Sequence, residues 1–135
     1  MTYRVLVVDD EPQIRSALER ALRRSGYEAI TVASAESAYA VLADLSVDAI
    51  LVDLILPQLS GSALALAVIR RWPNLRGRLV FMSGDPGLAV SEWPEELQGC
   101  PVLVKPFQLD ELMDTVASVM EQHGRPPLEA SGGGQ

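Results

Sequence analysis

Asp48-Ala49-Ile50-Leu51-Val52-Asp53-Leu54-Ile55-Leu56-Pro57 sets a short apolar run between an acid and a proline. A continuous run of this length, without polar alternation, reads as a strand buried on both faces of a parallel sheet. Ligands of such sheets sit beyond the carboxyl ends of the strands. Asp53, delivered where the run ends, therefore faces a crevice and not a core. One Asp at a strand end is more often a turn residue, so the chemical reading depends on what the other strand ends deliver.

Working outward, Arg4-Val5-Leu6-Val7-Val8 has the same buried-strand pattern and stops at Asp9-Asp10-Glu11-Pro12. Asp10 is expected to cap a helix whose first turn takes the proline. From Pro12 to Arg24, Ile14, Ala17, Leu18, Ala21 and Leu22 recur at helical spacing, while Arg15, Glu19 and Arg23 line a solvated face, and Gly26 stops the helix. Tyr27 to Val32 is a weaker second strand. Ser34 caps a helix through about Leu45, with Ala38, Val41, Leu42 and Leu45 inward. After Asp53, Ala63 to Ile69 write a helix that ends at Trp72-Pro73, because the residue before proline avoids helical dihedrals.

Leu79-Val80-Phe81-Met82 is a fourth strand, delivering Ser83, and Val102-Leu103-Val104 a fifth, delivering Lys105-Pro106-Phe107. A final helix from Leu109 to Gln122 carries Leu109, Leu112, Met113, Val116 and Met120 on one stripe. Between the last two strands the helix is poorly written. Pro86, Gly87 and Pro94 interrupt it, and an interior proline costs about 3 kcal/mol, so a displaced or disordered element with a single turn at Pro94 is expected. Residues 1–123 read as one domain and 124–135, with two prolines and three consecutive glycines, as a disordered tail.

Strands alternating with helices make an α/β fold, a doubly wound five-stranded parallel sheet of expected order 2-1-3-4-5 with helices on both faces. That flavodoxin-like order puts Asp9 and Asp10 beside Asp53. Three carboxylates about 5 Å apart repel by roughly 3 kcal/mol per pair at an effective dielectric near 20, so the group takes up protons or holds a cation. With oxygen donors only, the cation is Mg²⁺ or Mn²⁺, and Mg²⁺ commonly shares its shell with phosphate oxygens. Ser83 and Lys105 add a hydroxyl and an ammonium, which suit in-line phosphoryl transfer onto Asp53. A cis Lys105-Pro106 peptide would aim the lysine inward.

The bulk composition agrees with this and excludes other classes. In 135 residues with 48% hydrophobic content and a formal charge of −7, the chain has a core but no basic footprint for nucleic acid. Cys100 stands alone and reads as a packing thiol, and the first apolar run is too short for a signal sequence or a membrane span, so a cytoplasmic protein is expected. No helical pattern for a DNA-binding domain follows residue 123, so output is expected to pass through a downstream protein partner. Trp72 reads as packing and Trp93 as undecided, while His123 complements the last helix dipole.

Val-Val-Asp9-Asp10-Glu-Pro, Leu-Val-Asp53-Leu-Ile-Leu-Pro57 with Gly61, Phe-Met-Ser83-Gly and Leu-Val-Lys105-Pro106-Phe107 together resemble the receiver domain of two-component response regulators, over about residues 4–122. The resemblance implies that Asp53 is the phosphoacceptor, that Asp9, Asp10, Asp53 and the Ile55 carbonyl hold the metal, and that Ser83 and Lys105 bind the phosphoryl group. It implies a phosphohistidine donor on a sensor histidine kinase or a histidine phosphotransfer protein, with the first helix at that contact. The domain would catalyse its own phosphorylation and dephosphorylation, and Ile55 and Asp85 stand where the family tunes hydrolysis.

The chain departs from the family at Val102, where an aromatic switch residue is usual. With the proline-bearing segment, this suggests an output face that orders on phosphorylation or partner binding. The alternative is a degenerate receiver acting as a phosphorylation-independent protein-binding module. A flavodoxin-like cofactor binder is disfavoured because Asp9-Asp10-Glu11 would repel a phosphate, and an aspartate-nucleophile phosphatase because Ile55 stands where a second acid is needed.

Overall fold

The continuous apolar runs are buried on both faces. In a computed structural model describing residues 2–85 and 92–122, five strands form one parallel sheet: β1 (Arg4–Val8), β2 (Glu28–Val32), β3 (Ala49–Asp53), β4 (Leu79–Ser83) and β5 (Val102–Val104). Their order is β2-β1-β3-β4-β5, as expected from the sequence. Among the described residues the α-helices are α1 (Pro12–Arg24), α2 (Ala35–Asp44), α3 (Gly61–Arg71) and α4 (Leu109–Gln122).

Alternation along the strands divides the core in two. Leu6, Val8, Ile50, Val52, Leu79 and Phe81 face Ala38 and Leu42 of α2 and Leu64, Val68 and Ile69 of α3. Val5, Val7, Leu51, Val80 and Met82 face Leu18 and Leu22 of α1 and Leu112, Val116 and Val119 of α4. Helices therefore cover both faces, and all five residues of β3 are buried. That burial fixes the strand which presents Asp53.

Local signals set most boundaries. The Ser34 and Ser60 hydroxyls each accept from the backbone N–H three residues on, at 3.1 Å, capping α2 and α3. Gly26 turns the chain after α1 with φ of 96°. The expected cap of α1 is corrected. Pro12 occupies the first turn, the N-cap is Glu11, and no side chain caps the helix; Asp10 is exposed instead. The second strand begins at Glu28 and not at Tyr27. Leu45 and Leu109, read as inward, are 41% and 46% exposed because they lie at the ends of their helices, whereas Val119 joins the buried stripe.

Between β4 and β5, residues 86–91 lie outside the described part, as do His123 and residues 124–135, where a disordered tail is expected. After Pro94 the chain makes the expected single turn, a 3-10 helix at Glu95–Leu97. Leu97 is fully buried, and the Trp93 ring meets Phe81 edge-on at 4.8 Å between centroids. Trp93 is thus a packing residue. Trp93→Ala is expected to cost about 2 kcal/mol in urea unfolding, less than a fully buried aromatic because the ring is half-buried. Trp72 packs as expected, with Tyr39 at 4.9 Å and the Arg71 guanidinium at 5.0 Å from its ring. Cys100 is buried, which pushes its thiol above the ordinary value.

Candidate functional site

The strand order decides which side chains meet. Val8 of β1 pairs with Val52 of β3, so Asp9 and Asp53 leave the sheet side by side at its switch point. Asp53 pairs with Met82 and Ser83 with Val104, which puts Ser83 and Lys105 on the same rim. Carboxylate oxygens of Asp9, Asp10 and Asp53 lie within 4.8 Å of one another. Asp9 and Asp53 are buried, whereas Asp10 is exposed.

The buried acids are held from several sides. Asp53 Oδ1 accepts the Ile55 N–H at 3.0 Å, and its Oδ2 accepts from the Lys105 ammonium at 2.8 Å. Asp9 Oδ1 accepts the Glu11 N–H at 2.9 Å, and Oδ2 accepts from Lys105 at 3.1 Å. Lys105 also reaches Glu11 Oε1 at 3.2 Å. The Lys105-Pro106 peptide is cis. Burial works against the lysine's charge, but the hydrogen bonds to Asp53 and Asp9 outweigh it and raise its pKa above the ordinary value.

Asp9 shows the opposite balance. Burial pushes its carboxyl above the usual carboxylate range, although the Glu11 N–H and Lys105 pull it down. Three carboxylates, of Asp9, Glu11 and Asp53, share the one Lys105 ammonium, which leaves a surplus of negative charge. An oxygen-only donor set around that surplus fits a small hard cation such as Mg²⁺ or Mn²⁺.

Ser83 is buried at the end of β4, but its hydroxyl is engaged locally, accepting the Asp85 N–H at 3.0 Å. Ile55 projects into solvent, 77% exposed, with its N–H turned back on Asp53. Beside Lys105 an open apolar groove of about 400 Å³ runs between α1 and the Pro106-Phe107 turn.

Two residues acquire roles that sequence reading did not give them. Glu11 was one acid in a run, and its ion pair with Lys105 spans 94 positions. Gly61 closes the loop after Asp53 by donating its N–H to the Leu54 carbonyl at 2.8 Å. A Cβ there would fall on the Asp53 carbonyl oxygen and lie 2.7 Å from Leu54 Cα. The glycine following the Asp53 strand was the available signal.

Fold and site together define a doubly wound α/β protein with an acidic pocket, bridged by a lysine, at its switch point. The chain belongs to the response regulator receiver domain family of two-component systems, whose profile matches residues 5–117. It is 31% identical to the phosphate regulon transcriptional regulatory protein PhoB of Pseudomonas aeruginosa over 95% of this chain, but spans only 58% of that protein. It is 26% identical to the response regulator receiver protein CpdR of Brucella abortus, over 87% of this chain and 96% of the relative. Among solved structures, the response regulator TrrA of Thermotoga maritima, in complex with Mg²⁺ and BeF, superposes with a TM-score of 0.76 at 27% identity, covering 87% of this chain and 99% of that one. Among the described residues no helix is long and apolar enough to cross a membrane.

Proposed function

We propose that the chain accepts a phosphoryl group on Asp53 from a phosphohistidine donor, a sensor histidine kinase or a histidine phosphotransfer protein, and signals in the cytoplasm through protein contacts without binding nucleic acid itself. The observation that carries this reading is the setting of Asp53, a buried carboxylate held between the Ile55 N–H and the Lys105 ammonium beside two further acids. Asp9, Asp10, Asp53 and the Ile55 carbonyl would hold Mg²⁺ or Mn²⁺, which when bound neutralises charge on phosphoryl oxygens.

In the transfer a carboxylate oxygen of Asp53 attacks phosphorus and the bond from phosphorus to imidazole nitrogen breaks, its electron pair leaving with the imidazole. Lys105, already on Asp53 Oδ2, would stabilise the transferring oxygens. The Ser83 hydroxyl, which donates to the Asp85 carbonyl at 3.4 Å, would turn that donor to a phosphoryl oxygen. Hydrolysis reverses the load, as water attacks phosphorus and Asp53 leaves as carboxylate. The apolar groove beside Lys105 supports docking of the donor against α1. Val102 lies beside Phe81 in the sheet, and Trp93 packs on that same ring, so this face would transmit the change without an aromatic at position 102.

Incubation with acetyl phosphate and Mg²⁺ is expected to give a single phosphoryl adduct by intact mass, absent with chelator and absent in Asp53→Asn. Failure with both acetyl phosphate and a phosphorylated donor protein would favour the degenerate, phosphorylation-independent binding module.

A further inference from the structure

We propose that Glu11 is a positioning residue for Lys105, a second berth that lets the lysine leave Asp9 without leaving the site. The inference rests on the cation-assisted reading above and concerns how the acids become available to the cation.

Both oxygens of Asp9 are occupied. Oδ1 accepts the Glu11 N–H, and Oδ2 carries the Lys105 ammonium at 3.1 Å. Asp9 is fully buried and cannot turn to solvent. To offer Oδ2 to a divalent cation it must give up the lysine, because two cations on one buried oxygen repel strongly. Asp53 remains a partner for Lys105, but it belongs to the same trio of acids and faces the same competition.

Glu11 differs in three respects. It stands outside the group of carboxylates close enough to share an ion. As N-cap of α1 it makes no side-chain capping bond, so its carboxylate is not committed to the helix. Its side chain is 60% exposed, and it reaches Lys105 at 3.2 Å. A flexible carboxylate so placed keeps the ammonium within reach of Asp53 when Asp9 turns to a cation. It also spares the lysine full exposure, from which it would have to return for phosphoryl transfer.

The test is a double-mutant cycle read by Mg²⁺ calorimetry on wild type, Glu11→Gln, Lys105→Met and the double variant, with melting curves in chelator confirming that each is folded. If Glu11 is the lysine's berth, Glu11→Gln weakens Mg²⁺ binding about fivefold when Lys105 is present and less than about twofold when it is methionine. Equal losses in the two backgrounds would make Glu11 a distant charge or a direct ligand and overturn the proposal, as would no loss in wild type. Absence of Mg²⁺ binding by wild type would overturn the cation-assisted reading and the proposal together. Calorimetry therefore separates failure of the berth from failure of the site.

Discussion

Gly61→Ala is expected to slow phosphoryl labelling by at least about tenfold and to destabilise the fold by about 2–3 kcal/mol, as overpacking against an immobile neighbour does. The new methyl would fall on the Asp53 carbonyl oxygen, 2.9 Å from the Asp53 carbonyl carbon and 2.7 Å from Leu54 Cα. All three are backbone atoms of the segment that presents Asp53, so no side chain can rotate away. Relief requires α3 to lift or the end of β3 to shift, and either moves Asp53 relative to Lys105. Helix propensity works only weakly in the opposite direction, since alanine is about 1 kcal/mol better than glycine in a helix interior and Gly61 is the first residue of α3. A urea titration and a labelling time course check both effects. Unchanged stability with unchanged labelling would show that the close approach does not constrain the site.

Lys105→Met carries the second large effect, and it has opposite faces in stability and chemistry. Removing the ammonium leaves Asp9 and Asp53 buried beside each other without the cation that both contact, at 3.1 Å and 2.8 Å. Breaking a buried ion pair on one side costs about 3 kcal/mol, so the variant should melt well below wild type in chelator at neutral pH. The loss should shrink as Mg²⁺ is added, because without an ammonium to displace from Asp9 the folded variant binds the cation more tightly than wild type and is stabilised more by mass action. It should also shrink as pH falls from neutral. Burial already raises the Asp9 pKa, and a carboxyl raised on folding gives stability at low pH that is lost as pH rises through its folded value. Labelling with a phosphodonor should nonetheless fall about a hundredfold even with Mg²⁺ saturating, because a preorganised cation no longer faces the transferring oxygens. A variant with wild-type labelling would remove Lys105 from the mechanism.

The sequence was most informative where one chain segment carried the whole signal. The apolar runs ending in Asp9, Asp53, Ser83 and Lys105 gave the strands, and the two-sided burial of β1 and β3 follows directly from their lack of polar alternation. Pro94 likewise announced the turn at Glu95–Leu97. Reading failed where the deciding partner is distant in the chain. Trp93 stayed undecided because its neighbour Phe81 lies in β4, and Glu11 had no visible role because Lys105 enters from the far end of β5. The Asp10 cap failed for a local reason, since Pro12 in the first turn makes the residue before it the cap and frees Asp10 to sit beside the other acids. Ser83 was placed at the correct strand end, but its present hydrogen bond to Asp85 depends on how the loop closes, which strand patterning does not encode.

The central claim is that Asp53 itself carries the phosphoryl group. Borohydride reduces an acyl phosphate to the alcohol, so reduction of protein labelled in Mg²⁺, followed by peptide sequencing in a mass spectrometer, reads the site directly. The expected result is homoserine at position 53 and unmodified Asp9 and Asp10. Reduction at either of those acids, or label stable to borohydride on another side chain, would contradict the account.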